Sequence, residues 1–338
     1  MSTTVFVSGA TGFIAQHIVK QLLEDNYKVI GSVRSSEKGE HLKSLLANAG
    51  LKAENFSYEI VKDIAAKGAF DEALKAHPEV TVFLHTASPF HFNVQDVEKE
   101  LLKPAEEGTT NALNAIKEYG KNVERVVVTS SYAAITGFAD LATPGKTVDE
   151  SSWNPITKEQ SLRDPFNGYI GSKKLAEQIV WKYVETNKPK WGVSVVNPTY
   201  VLGPQTFEVK DKSALNTSNE LINGILKAGK DHSQPQQVTG YFIDVRDVAK
   251  AHIVAFQKED AIGQRLLLAA GPVTTEKILN IIKKDFSQIE LPTLNESEKP
   301  DWDKIESIIN NDKTKKILGF KFIDLEKSVD DTVSQIVN

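Results

Sequence analysis

The sequence predicts an α/β protein built on a doubly wound parallel sheet, because strand-like and helix-like segments alternate along much of the chain. A short strand at 5–7 runs into a glycine turn, and apolar residues then recur at helical spacing from Phe13 to Leu23. A second strand follows at 28–34. This order forms a βαβ unit, which can bind the phosphates of a dinucleotide at the helix N-terminus.

The glycine turn reads Gly9-x-x-Gly12-x-x-Ala15, which departs from the common G-x-G-x-x-G pattern. Gly9 permits the tight turn, and Gly12 lets backbone N–H groups approach a pyrophosphate. Ala15 is small enough for the helix to pack on the strand. Glycine turns are common after strands, so the prediction depends on the βαβ context. With it, we expect Gly9, Gly12, Phe13 and Ile14 to contact the cofactor.

The end of the second strand predicts which dinucleotide binds. NAD-preferring sites place a carboxylate there to bind the ribose 2′-hydroxyl, whereas an arginine suits a 2′-phosphate. This strand ends at Arg34, and Lys38 follows one helical turn later. A guanidinium can hold a phosphate through two parallel hydrogen bonds, so the pair favours NADPH. The alternative is a solvated helix start in which Glu37 pairs with either cation.

Composition excludes several classes of function. The 338 residues are 40% hydrophobic and carry 45 acidic against 40 basic side chains, so nucleic acid is not an expected partner. The absence of cysteine excludes disulfides, thiol nucleophiles and cysteine-ligated metals. The seven histidines lack metal-ligand spacing, and no metal is expected. Without a signal-like or membrane-length apolar run, the prediction is a soluble, cytoplasmic protein.

The rest of the chain predicts one large domain and a smaller lobe. Further strands are predicted at 56–61, 81–84, 125–129, 191–197, 238–243 and 265–270, and further helices at 65–76, 94–119, 218–228, 245–256 and 325–336. Pro104 should kink the helix at 94–119, which could also serve as a homodimer face. Asp244 should cap the helix at 245–256. Residues 1–200 are predicted to form the cofactor domain, to which a strand and helix at about 238–270 return. Residues 201–237 and 271–338 are predicted to form a smaller C-terminal substrate lobe.

The predicted reaction centre is Tyr169 with Lys173. The Tyr-x-x-x-Lys pattern alone means little, since Tyr58 and Lys62 repeat it. The Tyr58 copy lies on a predicted strand, where residues i and i+4 are ~13 Å apart. Tyr169 lies in a helical pattern, which brings i and i+4 to about 5 to 6 Å. Only the Tyr169 pair can therefore cooperate.

Proton chemistry explains why this pair is useful. A tyrosine pKa of about 10 would have to fall to near 7, which requires roughly 4 kcal/mol of preference for the phenolate. The Lys173 ammonium supplies attraction of that sign. Tyr169 could then protonate a carbonyl oxygen as hydride arrives from a nicotinamide, and Ser131 could hydrogen-bond the same oxygen. The alternative is an ordinary surface tyrosine and lysine on an amphipathic helix.

With Asn197-Pro198, these features resemble the extended short-chain dehydrogenase/reductase family, with a Rossmann-type sheet. Finer motifs are similar to its dihydroflavonol-reductase-like branch: His85-Thr86-Ala87-Ser88-Pro89, Asp149-Glu150-x-x-Trp153, Asp244-Val245-Arg246-Asp247-Val248-Ala249 and Leu318-Gly319-Phe320. Within that branch, essentially the whole chain resembles the fungal NADPH-dependent methylglyoxal and carbonyl reductases.

The resemblance implies roles for further residues. Asp63 and Ile64 would bracket the adenine, and Pro198 would lie near the nicotinamide. Lys173 would also bind the nicotinamide ribose. The residues that would line the cofactor are Thr86, Ala87 and Ser88, and those that would wall the substrate pocket are Phe90, Tyr132 and Tyr200. Each of the last three could equally serve ordinary packing. The asparagine that many such enzymes use in a proton relay has no clear counterpart, because Asn111 lies further along its helix.

The leading hypothesis is an NADPH-dependent reductase of aldehydes, ketones or dicarbonyls, with a small-molecule carbonyl as its substrate. An NAD-linked alcohol or hydroxysteroid dehydrogenase, or a sugar-nucleotide epimerase, would share the three catalytic residues. A non-catalytic NADP sensor is the alternative from another class. The substrate's identity and the oligomeric state do not follow from the sequence.

Overall fold

The computed structural model describes residues 3–88, 94–137, 143–208, 215–216, 218–294 and 308–337. Its helices are α1 (Phe13–Glu24), α2 (Ser36–Asn48), α3 (Asp71–Ala76), α4 (Lys103–Tyr119), α5 (Lys158–Ser161), α6 (Pro165–Asn187), α7 (Asn219–Lys230), α8 (Val245–Gln257), α9 (Thr275–Asp285), α10 (Asp312–Leu318) and α11 (Leu325–Val337). Its strands are β1 (Thr4–Ser8), β2 (Lys28–Val33), β3 (Phe56–Ile60), β4 (Val80–His85), β5 (Arg125–Thr129), β6 (Thr147–Val148), β7 (Gly192–Pro198), β8 (Tyr200–Leu202), β9 (Thr239–Asp244), β10 (Arg265–Leu268), β11 (Gly271–Thr274) and β12 (Ile308–Ile309).

Seven parallel strands form the main sheet in the order β10-β7-β5-β4-β1-β2-β3. The direction of strand succession reverses between β1 and β4. In open α/β sheets this switch point opens a crevice at the carboxyl ends of the strands, where ligands bind. The predicted doubly wound fold is confirmed.

The main sheet is buried on both faces, as an all-parallel sheet must be. Alternate residues of β1 enter opposite cores: Val5 and Val7 pack in the cluster beneath α1, whereas Phe6 packs in the other. The Phe6 ring stacks on Phe83 of β4 with 4.8 Å between the ring centroids. Helix α1 also packs beside α8, where the Gln21 amide donates to the Arg246 carbonyl at 3.0 Å. The strand that leads to the site is thus fixed from both sides.

A smaller sheet of β11, β9 and β8 supports a separate apolar cluster with α7, α9 and α11. Within the segment 238–270, β10 and α8 lie with the main sheet. Strand β9 instead pairs with β8 and β11 and so belongs to the smaller sheet. Asp244 ends β9 and caps α8 by accepting the Arg246 N–H at 2.8 Å, which is the predicted cap.

Two short connections join the sheets. Thr199 alone separates β7 from β8, and Ala269 and Ala270 separate β10 from β11. Thr199 donates to the Leu268 carbonyl twice, from its backbone N–H at 3.1 Å and its hydroxyl at 2.9 Å. The carboxyl edge of the main sheet therefore continues directly into the smaller sheet.

The helix predicted at 94–119 begins later than expected. Helical backbone runs continuously from a π-helical turn at Glu98–Leu102 into α4, so Pro104 lies inside the helical segment rather than at its start. Proline has no N–H to donate within a helix, and the π-helical turn just before it is the local departure from regular α-helix. Among the described helices, none is long and apolar enough to cross a membrane.

Candidate active site

The N-terminal glycine turn closes tightly against the loop after β4. Gly9 has φ +67°, a left-handed conformation that favours glycine, and a Cβ there would lie 3.1 Å from the Cα and Cβ of Ala87. The Gly9 N–H donates to the Ser32 hydroxyl at 2.9 Å, and the Gly12 N–H donates to the Gly9 carbonyl at 2.9 Å. The glycine turn and the loop after β4 form a cradle, and a side chain at position 9 would fill the space between them.

The N-terminus of α1 is open to an anion. Gly12 is the N-cap and supplies no side-chain cap, and the first turn holds no acidic residue. The N–H groups of the first turn, including those of Phe13 and Ile14, have no carbonyl four residues back inside the helix. These groups and the helix dipole fit a pyrophosphate.

Ser8, which the sequence reasoning missed, shapes the loop that holds Thr86, Ala87 and Ser88. Its hydroxyl oxygen accepts the backbone N–H groups of Thr86 and Ala87, each at 3.0 Å. Because both acceptor positions are used, its hydrogen is directed to His85 Nδ1, 3.0 Å away. Burial lowers the pKa of His85 to about 4, so the ring is neutral and can accept there.

Arg34 and Lys38 lie exposed where β2 leads into α2. Among the residues that the structure describes, neither forms an ion pair, and Glu37 does not neutralise either of them. Ser35 caps α2 by accepting the Lys38 N–H at 3.4 Å. Both cations therefore remain available to a ligand phosphate.

Asp63 and Ile64 lie on the loop after β3. Asp63 accepts the Ala65 N–H at 2.9 Å, and Ile64 packs so closely on α4 that a Cβ at Gly108 would lie 2.7 Å from its Cδ1. The Asn111 amide donates to the carbonyls of Ile64 and Ala66, each at 2.9 Å. Both amide hydrogens of Asn111 thus hold this loop.

The three predicted catalytic residues meet at the carboxyl edge of the main sheet. Ser131 follows β5, and Tyr169 and Lys173 lie one turn apart on α6. The Tyr169 hydroxyl donates to Ser131 Oγ at 3.4 Å. Lys173 Nζ lies 5.8 Å from the centroid of the Tyr169 ring and donates to the Ser88 hydroxyl at 3.0 Å. One carbonyl oxygen could meet both hydroxyl groups.

The pKa of Tyr169 shows that the predicted lowering was wrong for this structure. Burial raises the pKa of Tyr169, the hydrogen bond to Ser131 lowers it, and Tyr200 raises it further. Burial also lowers the pKa of Lys173 to about 8. The reason is geometric, because the ammonium points to Ser88 rather than to the phenol oxygen. Tyr169 is therefore held protonated, the form that donates a proton.

The tyrosine of the second Tyr-x-x-x-Lys pattern makes contacts away from the predicted catalytic residues. Tyr58 lies on β3, and its hydroxyl donates to Glu40 on α2 at 2.7 Å. Its ring fills the space beside Gly39, where a Cβ would lie 2.6 Å from the ring. This pair has no part in the site, as the strand spacing predicted.

The predicted pocket residues have different surroundings. Tyr200 is 38% exposed on β8, and its ring lies 3.1 Å from where a Gly240 Cβ would be. The Tyr132 ring packs against a small apolar cluster of Ile135, Val148 and Leu267. Phe90 lies outside the described residues. Pro198 is buried at the end of β7, and so is the neighbouring Asn197.

Away from the sheet edge, the described residues include one cluster of possible metal ligands: Asp285, Glu326 and Asp330 on α9 and α11. Lys284 forms ion pairs with Asp285 and Glu326, which offsets part of the negative charge. This surface cluster belongs to the smaller lobe and contributes nothing to the catalytic residues.

Comparison with known proteins agrees with this geometry. Over 99% of both sequences, the chain is 63% identical to GRP2 of Candida albicans. It is 45% identical to the NADPH-dependent methylglyoxal reductase GRE2 of Saccharomyces cerevisiae, over 99% of this chain and 98% of that protein. The crystal structure of Candida albicans Gre2 with NADPH has a TM-score of 0.93 at 50% identity and covers 99% of each chain. These relatives confirm the resemblance seen in the motifs.

A sequence model of the NAD dependent epimerase/dehydratase family matches residues 5–269. The match spans the glycine turn, Ser131 and the Tyr169–Lys173 pair, together with the strands that carry them. The chain belongs to the NAD dependent epimerase/dehydratase family.

Proposed function

We propose that this protein is an NADPH-dependent carbonyl reductase that converts aldehydes, ketones or dicarbonyls such as methylglyoxal to alcohols. The observation that carries the proposal is the meeting of Ser131 and Tyr169 hydroxyls, 3.4 Å apart, beside Lys173 at the carboxyl edge of the sheet. The name of GRE2 and the NADPH-bound Gre2 structure support the same reaction.

The residues present fit NADPH. The cradle at Gly9 and the uncapped start of α1 would hold the pyrophosphate, with Phe13 and Ile14 in that first turn. Arg34 and Lys38 would hold the 2′-phosphate. The remaining proposed cofactor contacts are Asp63, Ile64, Thr86, Ala87, Ser88, Lys173 and Pro198. When bound, NADPH supplies the hydride that adds to the carbonyl carbon.

The protein's own residues complete the reduction. The Tyr169 hydroxyl donates its proton to the carbonyl oxygen, so that C=O becomes C–OH and the tyrosine becomes a phenolate. Ser131 Oγ already accepts the Ala133 N–H at 3.1 Å as well as the Tyr169 hydroxyl, and its own hydrogen can point at the substrate oxygen. Below its pKa of about 8, Lys173 is an ammonium that stabilises the phenolate.

We assign the main sheet as the cofactor domain and the smaller sheet with its helices, which includes β8 and β9, as the substrate side. Tyr200 lies on the lobe near Tyr169, which supports a place in the pocket, and we propose Tyr132 and Phe90 as further wall residues. A cytoplasmic location and a homodimer stay predictions. The outer face of α4 exposes polar residues such as Glu107 and Asn114. Measuring the mass of the protein in solution tests whether this face forms a dimer.

The test is carbonyl-dependent oxidation of NADPH by the purified protein, measured over a panel of dicarbonyls, aldehydes and ketones. We expect turnover with NADPH and much weaker turnover with NADH. Equal rates with both cofactors would favour the NAD-linked dehydrogenase alternative. Tight NADPH binding without turnover on any carbonyl would refute the proposal in favour of a sensor.

A further inference from the structure

One buried carboxylate below the catalytic residues has no role in the reaction described above. Glu177 continues the stripe of Tyr169 and Lys173 on α6, four residues beyond the lysine. Its side chain is 0% exposed. A fully buried acid costs free energy unless donors satisfy it, so its partners show what it holds in place.

Four donors surround the Glu177 carboxylate. Oε2 accepts the Ser130 hydroxyl at 2.5 Å and the Asn197 amide at 2.6 Å. Oε1 accepts Arg265 Nε and, at 3.2 Å, Trp181 Nε1. A carboxylate offers about four lone-pair positions, and these donors fill them.

Three of the four donors come from, or directly follow, separate strands, and Trp181 lies on α6 itself. Ser130 follows β5, Asn197 lies near the end of β7 and Arg265 begins β10. Glu177 therefore ties the catalytic helix to three neighbouring strands of the main sheet. Arg265 is itself fixed, because its guanidinium lies 4.0 Å from the centre of the Trp153 ring and Nη1 donates to the Glu150 carbonyl at 3.0 Å.

Two of these contacts lead directly to Ser131. Ser130 precedes it in the chain, and the Asn197 amide that bonds Glu177 also donates to the Ser131 carbonyl at 3.2 Å. Glu177 and Lys173 both border a cavity of about 20 Å³ with Ser130, room for one water molecule. The backbone of Ser131 is thus held against the helix that carries Tyr169.

We propose that Glu177 is a positioning residue that sets the distance between the Ser131 and Tyr169 hydroxyls through Ser130 and Asn197. Two donors that act on one carbonyl oxygen need a fixed separation, and the hydrogen bonds of Glu177 join the helix to the strand end. The inference rests on the proposed carbonyl reduction and assigns a residue that acts through others.

Glu177→Gln is the informative change because it keeps the shape of the side chain. A glutamine places an acceptor oxygen at only one of the two positions. If the oxygen remains with Arg265, the amide nitrogen faces the Asn197 donor, and the link to Ser131 is lost. Glu185→Gln is the matched control, since Glu185 is exposed two turns further along the same helix.

The experiment measures kcat, KM for methylglyoxal and NADPH affinity for wild type, Glu177→Gln, Ser130→Ala, the double variant and Glu185→Gln, with circular dichroism to verify folding. We expect kcat of Glu177→Gln to fall by about 10-fold to 100-fold, the scale of a small misplacement, with NADPH affinity within about twofold of wild type. In Ser130→Ala, kcat should fall about fivefold, which corresponds to the loss of one hydrogen bond. The double variant should be no slower than Glu177→Gln, because both changes break one link.

A folded Glu177→Gln with wild-type kcat would overturn the inference, as would losses that multiply in the double variant or an equal loss in Glu185→Gln. If Glu177→Gln does not fold, Ser130→Ala decides: unchanged kcat overturns the inference, and a selective loss of kcat supports it. A wild-type protein without carbonyl turnover overturns the proposed function and the inference together.

Discussion

Replacing Arg34 by alanine should change which cofactor the protein prefers. Arg34 is exposed and lacks an acidic partner among the described residues, so its removal breaks no ion pair among them. A hydrogen bond to a charged group contributes about 1.5 to 3 kcal/mol. Since each 1.4 kcal/mol is a factor of about ten, kcat/KM for NADPH should fall by roughly 10-fold to 150-fold.

The same change should leave NADH nearly unaffected, because NADH carries no 2′-phosphate. kcat/KM for NADPH should fall less in Lys38→Ala than in Arg34→Ala, since a lysine cannot form two parallel hydrogen bonds with the phosphate. Lys43→Ala is the matched control: it removes an exposed cation from the same helix α2 and should change neither cofactor. Steady-state rates with each cofactor at one carbonyl concentration measure the ratio.

Salt gives an independent check on this reasoning. Exposed charges are screened over about 10 Å at 0.1 M ionic strength, so kcat/KM for NADPH should fall as salt rises. That fall should be less steep in Arg34→Ala. Parallel losses with NADPH and NADH, or a salt dependence unchanged by the substitution, would refute a direct contact between Arg34 and the phosphate.

Three further changes test other parts of the structure. Tyr169→Phe should lower kcat by about 10²-fold to 10⁴-fold with NADPH binding retained, because the general acid is lost. Tyr58→Phe should retain full activity. Equal rates for both variants would exclude Tyr169 as the proton donor. Gly9→Ala and Gly50→Ala should each cost about 1 to 2 kcal/mol in unfolding free energy, because both positions have left-handed backbone, but only Gly9→Ala should weaken NADPH binding, since a Cβ at Gly50 meets open space. Burial raises the pKa of Asp247 to about 6, above its value in the unfolded chain, so the ionised carboxylate destabilises the folded protein. This cost in unfolding free energy is absent below about pH 4, grows as the pH rises to 6 and is complete at pH 7. Asp247→Asn should therefore raise the unfolding free energy at pH 7 by up to about 3 kcal/mol, with no gain below pH 4 in denaturant titrations; a gain that does not vary with pH would contradict this origin.

The parts of the protein that sequence predicted well depend on local spacing. The βαβ unit around Gly9 and the pairing of Tyr169 with Lys173 each span few residues, and both follow from helix and strand periodicity. Asp244 as a helix cap is local in the same way. The doubly wound sheet follows from the alternation of such units.

The parts that sequence did not predict involve contacts between distant residues. Ser8 meets His85 across 77 residues, and Glu177 meets Arg265 across 88. Only the folded sheet brings these partners together, so spacing carries no trace of them. The continued i, i+4 stripe from Lys173 to Glu177 was the one available signal for the buried acid.

The pKa of Tyr169 shows a second limit. The sequence placed a cation beside the phenol and so predicted the sign of one electrostatic effect. It did not show how deeply the ring is buried, or that the ammonium turns to Ser88. Because burial outweighs the hydrogen bond to Ser131, the tyrosine pKa moves up rather than down.

The single residue between β7 and β8 has a mechanical consequence. Thr199 donates two hydrogen bonds to the carbonyl of Leu268, the last residue of β10, where the chain passes to the smaller sheet a second time. Both bonds lie within the main sheet, because Leu268 belongs to β10 and its neighbour in the ladder is Pro198, so we expect any rotation of the smaller sheet to occur beyond Thr199. Tyr200, the next residue, should then stay close to the end of β7 throughout turnover. Substrate range would be altered by reshaping side chains on β8 and β9, with the dinucleotide half of the protein left as it is.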